Sequence, residues 1–428
     1  MTPVAISETK PAPPALFRWT VLIFVSLAMF GNYYVYDSIS PLADVLTSQL
    51  GFTDSNIGLL QGIYSIPNVL MVLLGGILID RLGTKKSALL FSVICMVGAL
   101  FTFVKGDLAW MATGRLIFGL GAESLIVAST TIIARWFKGK ELSFAFGINL
   151  TISRLGTFAA LNSPRWARGL YETWQEPLML AAGFAAISVF SVVVYFILDK
   201  AAEKKYILGE EQEPDKVNLK EIVKFNKSFW YITALCVTFY SAIFPFQTFA
   251  IKFFQIHHGL ERDAAGFVSS MPIFFSMVLT PFFGIISDKV GKRAVLMMTG
   301  SFILIPVYLM IYYLDVSLYV PIPIMGISFS LIPAVMWPAV SIVVKDSRLG
   351  TAYGLMTMIQ NIGLAGFNLL IGWTNDFTGG YEAGMWIFSS LGLFGLFFAF
   401  LLRRAETGPN SHGLELSERE RAKEFAAK

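Results

Sequence analysis

Charged residues are scarce in this sequence. Asp, Glu, Lys and Arg make up 14% of its 428 residues, whereas hydrophobic residues make up 55%. Soluble domains carry about a quarter charged residues. A soluble chain of this length would split into several domains, each with its own polar surface, and this composition is too poor in charge to cover them. The shortage excludes a large soluble protein and favours one that lies within a lipid bilayer.

The residue types that build disulfides, metal sites and active sites are also few. The only cysteines, Cys95 and Cys236, lie inside apolar segments, which predicts no disulfide framework. The three histidines lack metal-ligand spacing to a cysteine or carboxylate cluster. The sequence also has no Ser–His–Asp set, phosphate-cradling loop or nucleotide motif. It therefore predicts no enzyme, metal or cofactor, and its dispersed basic residues predict no nucleic-acid binding.

Long apolar runs are abundant. Runs of about 20 residues cross a bilayer core, and they must be helical because lipid offers the backbone no hydrogen bonds. We predict twelve such spans, at residues 16–40, 56–80, 84–104, 108–134, 141–164, 176–199, 228–253, 264–287, 293–314, 318–344, 349–374 and 383–402.

A polar linker at 200–227 divides the spans into two six-helix bundles, 16–199 and 228–402, with tails at 1–15 and 403–428. The Lys and Arg residues concentrate at one end of these spans, which predicts that both termini and the linker are cytoplasmic. The exceptions on the other side are Lys105, Arg165, Arg168, Lys252 and Arg262. We expect the charged C-terminal tail from Glu406 onward to be solvated or to form a short surface helix, and we expect the membrane to be a prokaryotic cytoplasmic one.

The two predicted bundles share a repeated loop. The stretch from Gly76 to Lys86, with Asp80, Arg81, Gly83 and Lys85, lies between two apolar runs, and Gly284, Asp288, Lys289, Gly291 and Arg293 repeat it 208 residues later. A second repeat relates Leu142–Gly156 to Leu349–Gly363. Such repetition indicates a duplicated unit.

This loop motif resembles the signature of the major facilitator superfamily, between its second and third helices. The resemblance implies an all-α integral membrane protein with twelve transmembrane helices in two pseudo-symmetric halves. It also implies alternating access, in which Asp80 and Asp288 contact helix N-termini of the opposite half and close the cytoplasmic side. The predicted gating residues are Asp80, Arg81, Gly83, Lys85, Lys86, Asp288, Lys289 and Arg293. Alternatively, these loops only fix topology and turn shape.

Ionisable residues inside predicted spans are costly, and by default they indicate function. Glu123 lies near the middle of span four and Arg154 near the middle of span five, which is its antiparallel neighbour. The two can therefore meet at one depth. Alternatively, they form a buried pair that only neutralises itself, although such pairs are often no better than apolar packing for stability.

Other polar and aromatic side chains in the spans are further candidates for a binding site. Span one places Tyr33, Tyr36 and Asp37 close together, with Tyr33 and Asp37 on one helix face. Trp337 stands beside Pro338 in span ten, and Gln360 and Asn361 lie in span eleven. Intramembrane aromatic residues more often serve packing than ligand binding.

A narrower resemblance is carried by several motifs across both halves. They are Gly31-Asn-Tyr33-x-x-Tyr36-Asp37, Tyr64-Ser-Ile-Pro67-Asn68, Gly119-x-Gly121-x-Glu123-Ser124-Leu125, Trp136–Leu142, Arg154-Leu-Gly156 and Leu349–Gly354. These motifs resemble the lysosomal dipeptide-transporter branch of the superfamily. The resemblance implies that Glu123 and Arg154 line a peptide site and that peptide moves by facilitated diffusion.

We therefore expect an alternating-access carrier in a lipid bilayer, with dipeptides as the small-molecule substrate and uniport as the mode. One alternative is a proton symporter of another zwitterionic or anionic solute. A second is a receptor or assembly subunit of the same fold that does not transport. The sequence indicates no accessory subunit.

Overall fold

A computed structural model of the chain describes residues 11, 13–137, 141–206, 208, 225–345, 348–409, 411–417 and 419–421. Four side chains within its helices are outside the description, those of Val72, Leu73, Asp80 and Ser143. The predicted tail at 1–15 and the linker at 200–227 lie largely outside the described residues as well.

Helices are the only regular elements in the described ranges, as the twelve apolar runs predicted. They are α1 (Ala15–Asp37), α2 (Ala43–Leu50), α3 (Asp54–Gly62), α4 (Ser65–Leu82), α5 (Thr84–Val104), α6 (Leu108–Trp136), α7 (Leu142–Leu161), α8 (Ser163–Trp166), α9 (Gln175–Lys205), α10 (Lys227–His258), α11 (Arg262–Val290), α12 (Arg293–Tyr313), α13 (Pro321–Val343), α14 (Leu349–Thr378) and α15 (Glu382–Glu406). Eleven helical stretches of the described chain are long and apolar enough to cross a membrane.

The remaining predicted span, 56–80, consists of α3 and α4 with a break between them. Pro67 has no N–H to donate to the carbonyl of Ile63, four residues earlier. That carbonyl instead accepts a bond from Ile66 N at 3.2 Å. The helix therefore ends and restarts in the middle of the span.

The internal repeat is present in the structure. Gly83 joins α4 to α5 with φ of 79°, and Gly291 joins α11 to α12 with φ of 66°. Positive φ favours glycine, which explains why both copies of the loop carry one at this position. The second repeat also holds, because α7 begins at Leu142 and α14 at Leu349. Helices α1–α9 form the N half and α10–α15 the C half.

The two halves meet along two interfaces. The internal repeat relates the helices of one interface to those of the other. In one, α3 and α4 pack against α14, and in the other α7 and α8 pack against α11. A Cβ atom on Gly58 would clash with the carbonyl oxygen of Asn368, and one on Gly266 with that of Leu161. Glycine thus allows the backbones of the two halves to touch in both interfaces.

An even number of spans places both ends of the chain on the same side. We call this side the termini end and the opposite side the far end. At the far end, a set of polar residues that we call the far-end latch joins the halves. Its members are Asp44 and Asp54 from the N half and Lys252, Arg262, Asn375 and Asp376 from the C half.

Each bond of the latch crosses from one half to the other. Lys252 Nζ lies 2.5 Å from Asp54 Oδ1, and Asn375 Nδ2 donates to Asp54 Oδ2 at 2.9 Å. Arg262 donates to Asp44 through Nη2 at 2.6 Å and Nε at 2.9 Å. The Asp376 carboxylate accepts from the first backbone N–H groups of α3, which the helix itself leaves unpaired. The structure therefore shows the far end closed.

The C-terminal segment is attached to the C half more closely than a solvated tail or short surface helix would be. Leu414 is fully buried, and Glu406 accepts bonds from Ser228 Oγ at 2.5 Å and His412 N at 2.8 Å. Lys292 N, at the second repeated loop, donates to Glu415 O at 2.9 Å. Apolar and charge-assisted contacts thus bind residues 411–417 to the C half, a result that the high charge of the tail as a whole concealed.

Replacing Asp54 by Asn should open the far end. The change leaves the Lys252 ammonium buried without its counter-charge, and breaking a buried pair costs about 3–5 kcal/mol. Spin labels at Ser48 and Thr378, in a chain with both cysteines replaced by serine, should show a longer distance in D54N by double electron–electron resonance.

Asp107→Asn is the matched control, because Asp107 only caps α6 within the N half through a bond from Trp110 N at 3.1 Å. Equal distance distributions in D54N, D107N and the parent would show that the latch does not hold the far end closed.

Candidate functional site

A cavity of about 260 Å³ lies between the two halves. Its wall includes side chains of α1, α6 and α7 from the N half and of α10, α13 and α14 from the C half. Seven of the eight predicted binding residues line it: Tyr33, Tyr36, Asp37, Glu123, Arg154, Trp337 and Gln360. These seven residues come from five helices, and the fold brings them together at one place between the halves.

The last turns of α1 form one side of the cavity. Tyr33, Tyr36 and Asp37 share a face because residues three and four apart lie together on a helix. Asp37 is 4% exposed, and its carboxylate lies near the Thr157 hydroxyl and within electrostatic range of Arg154. This side of the cavity combines a carboxylate with phenol hydroxyls.

Glu123 on α6 and Arg154 on α7 face the cavity without bonding to each other. Among the described side chains, neither forms an ion pair. The Glu123 carboxyl lies near the Asn361 amide, and the Arg154 guanidinium carbon lies 5.2 Å from the ring centre of Phe329. The self-neutralising pair that the sequence left open is not formed in this structure.

Aromatic residues of the C half form the opposite side. Trp337 Nε1 donates to the Tyr240 hydroxyl at 2.9 Å, and the Tyr353 hydroxyl donates to the Trp337 carbonyl at 3.1 Å. The rings of Tyr240 and Phe244 stack with centres 5.7 Å apart. Trp337 is thus fixed at both its side chain and its backbone, in a helix that continues through Pro338.

Asn361, the eighth predicted residue, does not line the cavity. It is 1% exposed, and its Oδ1 accepts a bond from Asn68 Nδ2 at 3.3 Å. This bond joins α14 to α4 and therefore crosses between the halves. Asn361 reaches the site only through its proximity to Glu123.

Arg115 is a buried cation whose hydrogen-bond partners indicate a structural role. It is 1% exposed and donates to the carbonyls of Leu60, Val35 and Tyr36 at 3.1, 2.9 and 2.9 Å. It also donates to Gln61 Oε1 at 3.1 Å. The guanidinium therefore fixes the end of α1, from which Tyr36 and Asp37 reach the cavity, against the end of α3.

The predicted gating residues lie at the termini end, and the contacts seen for Lys85, Asp288 and Arg293 are within their own halves. Lys85 Nζ contacts Asp199 at 3.2 Å and Glu203 at 2.5 Å on α9. In the second loop, Arg293 binds Asp288 at 2.7 Å and the Leu416 carbonyl at 3.2 Å.

Among the other members of the gating set whose side chains are described, Arg81, Lys86 and Lys289 are exposed, and Gly83 forms the turn. The side chain of Asp80 lies outside the described residues. The gating role of the set therefore stays a prediction.

Sequence reasoning missed a further group of cavity residues: Tyr64, Phe118, Ala122, Ile126, Thr157, Tyr240, Phe244, Thr357 and Leu364. Most of them are apolar or aromatic, and nothing in the sequence separates them from the many similar residues that pack in the bundle. Asn32, which belongs to the polar aromatic cluster of span one, also lines the cavity and donates to the Ala122 carbonyl at 3.4 Å.

The fold and the cavity define a class, namely a two-half helical membrane carrier with one site between the halves. A sequence profile described as Major Facilitator Superfamily matches residues 25–367 and 246–425. The chain belongs to that superfamily, and it is a transporter rather than an enzyme.

Particular relatives narrow the comparison. The lysosomal dipeptide transporter MFSD1 of Danio rerio is 34% identical over 85% of this chain and 82% of its own length. The Homo sapiens protein of that name is 31% identical over 91% of this chain and 87% of its own length. The crystal structure of the nucleoside transporter NupG matches the fold with a TM-score of 0.71 at 15% identity, covering 90% of this chain and 98% of its own.

Replacing Arg115 by Lys should destabilise the protein. An ammonium cannot reproduce the guanidinium fork, so several carbonyls lose their donor. Hydrogen bonds to charged groups contribute about 1.5–3 kcal/mol each, and R115K should lower the melting temperature in detergent clearly. Arg165→Lys, at an exposed position of the far end, is the control and should melt like the parent. Identical melting of R115K and the parent would contradict this role.

Proposed function

We propose that this chain carries dipeptides across a membrane by alternating access. The observation that supports the proposal most directly is the placement of Glu123 and Arg154 in one cavity without a bond between them. A carboxylate and a guanidinium that remain separate can each bind one charged end of a zwitterion. The name of these relatives, lysosomal dipeptide transporter, agrees with this chemistry.

Each wall residue has a role in the proposal. Glu123 binds the peptide ammonium, and Arg154 binds the terminal carboxylate as a fork. Asp37 and the hydroxyls of Tyr33 and Tyr36 surround the ammonium side, while Gln360 offers an amide to the peptide bond. Asn361, which lies outside the cavity wall with its amide near the Glu123 carboxyl, holds Glu123 in position. These contacts replace hydration that the substrate loses on entering the cavity.

In the proposed cycle, one end of the protein is closed while the other is open, and the two ends then change places. The far-end latch is closed in this structure, and in the proposed cycle the cavity exchanges solute with the termini end while the latch stays closed. After the latch opens, the set from Asp80 to Lys86 and from Asp288 to Arg293 closes the termini end. Following the distribution of Lys and Arg, we assign the termini end to the cytoplasm.

The relatives named above are vertebrate lysosomal proteins, so the comparisons lend no support to our expectation of a prokaryotic membrane. The identity of the membrane therefore stays a prediction.

A second candidate is proton-coupled symport of another zwitterionic or anionic solute. It is favoured by the presence of two cavity carboxylates, Asp37 and Glu123, beside a single cavity guanidinium. A receptor or assembly subunit of the same fold would bind solute without moving it. Counterflow of labelled dipeptide in proteoliposomes separates these functions, since only a dipeptide carrier exchanges label for unlabelled peptide inside the vesicle.

Blocking one end of the substrate should identify its partner in the cavity. In the parent protein, an N-acetylated dipeptide should bind at least ten-fold more weakly than the free dipeptide, because Glu123 loses its counter-charge. The same acetylation should cost little more in Glu123→Gln. A C-terminally amidated dipeptide should behave likewise in Arg154→Ala, and Arg154→Lys should restore binding only in part.

Calorimetric titration of both analogues against each variant gives the four affinities of each double-mutant cycle. Glu172→Gln, an exposed far-end change, serves as the control. Equal losses in parent and variant would show that the effects are additive and that the assigned poles are wrong.

Transport should proceed without obligatory proton movement. An inward pH gradient should not drive dipeptide above its equilibrium concentration in proteoliposomes, and Glu123→Gln or Asp37→Asn should leave that response unchanged. Accumulation that follows the pH gradient and disappears in Glu123→Gln would establish symport instead. A membrane potential applied without a pH gradient controls for electrical driving force.

A further inference from the structure

The charged groups of the cavity all belong to one half of the protein. The three cavity side chains with formal charge, Asp37, Glu123 and Arg154, all come from the N half. The described C-half wall contains Tyr240, Phe244, Trp337, Thr357, Gln360 and Leu364, with no Asp, Glu, Lys or Arg among them.

This division constrains how a zwitterion can lie in the cavity. A charged group inside a membrane protein needs compensating partners, because uncompensated charge there is costly, and the charged partners on the described cavity wall all belong to the N half. Both ends of a dipeptide must therefore bind the N half, and its backbone extends along that wall. Dipeptide side chains that point away from the N-half wall therefore face the C half.

The C-half wall is fixed before any substrate arrives. Trp337 is bonded to the Tyr240 hydroxyl at 2.9 Å, and its carbonyl accepts from Tyr353 at 3.1 Å. The ring of Tyr240 lies 5.7 Å from that of Phe244, at an angle of 15°. A preorganised aromatic surface of this kind binds apolar side chains without ordering its own.

The tyrosines on the N-half wall are less suited to the same task. The rings of Tyr36 and Tyr64 contact each other at 4.6 Å between centres, and the Arg115 guanidinium lies about 6 Å from both. Contacts with each other and with this cation hold them beside the groups that bind charge.

We propose that the hydrogen-bonded pair Trp337 and Tyr240 determines which dipeptide side chains are accepted, while the N half binds the charged ends common to all dipeptides. This inference rests on the proposed function and adds a selectivity role to the C half. It predicts that selectivity and recognition of the ends can be changed separately by mutation.

The test compares two substrates with identical charged ends, Ala-Ala and Ala-Phe. Calorimetric titration should show that Trp337→Leu weakens Ala-Phe binding by about ten-fold or more, within the range that one apolar contact controls, while Ala-Ala binding changes less than about two-fold. Tyr240→Phe keeps the ring but removes the acceptor for Trp337 Nε1, so it should act in the same direction with a smaller effect.

Trp373→Leu is the matched control, because Trp373 is 56% exposed on α14 and outside the cavity wall. It should leave both affinities unchanged. Retained Ala-Ala binding also shows that a variant is folded, and if Trp337→Leu does not fold, Tyr240→Phe decides the question alone.

The possible failures are distinguishable. Equal weakening of Ala-Ala and Ala-Phe in Trp337→Leu or Tyr240→Phe would overturn the selectivity role and leave the proposed function intact. An unchanged ratio of the two affinities in both variants would do the same. If the parent protein binds neither dipeptide, the proposed function fails and the selectivity role fails with it.

Discussion

The cost of a charge inside a membrane protein explains where the ionisable side chains lie. Wherever the described residues bury charge for structure, they also supply partners: Asp54 for Lys252 at the far-end latch, and carbonyl oxygens for Arg115. The cavity is different, since Arg154 faces it without a bonded partner among the described residues. Charge that the fold leaves uncompensated is available to a ligand, and this contrast distinguishes the site from the bundle that supports it.

The internal repeat supplies the geometry for such a site. The interface of α3 and α4 with α14 corresponds, through the repeat, to the interface of α7 and α8 with α11. The halves therefore share two equivalent interfaces around one cavity. Their chemistry nevertheless differs, with the charged groups of the cavity confined to the N half. The duplication thus preserved the backbone arrangement, whereas the cavity side chains of the two halves differ in charge.

Much of this could be predicted from the sequence, because the physics involved is local. Apolar runs of bilayer length predicted the helices, and Gly83 and Gly291 marked equivalent turns. Glu123 and Arg154 stood out as charges within apolar runs. Other features depend on pairing across long separations. Nothing near Lys252 indicates that Asp54 is its partner, and nothing near Tyr240 indicates Trp337. The docking of Leu414 was missed for the same reason, since its contacts come from helices far away in the chain.

The two anchored ends of the described chain have a practical consequence. At the start of α1, Phe17 stacks on Trp136 with ring centres 5.7 Å apart, and Arg18 lies 3.5 Å from Glu141, all within the N half. At the other end, residues 411–417 are fixed to the C half through Glu406 and the α11–α12 turn. Both attachments lie on the same side of the molecule. Each half therefore has one attached segment near an end of the described chain, and a pair of fluorophores on these two segments would record the relative motion of the halves with the cavity and latch left unaltered.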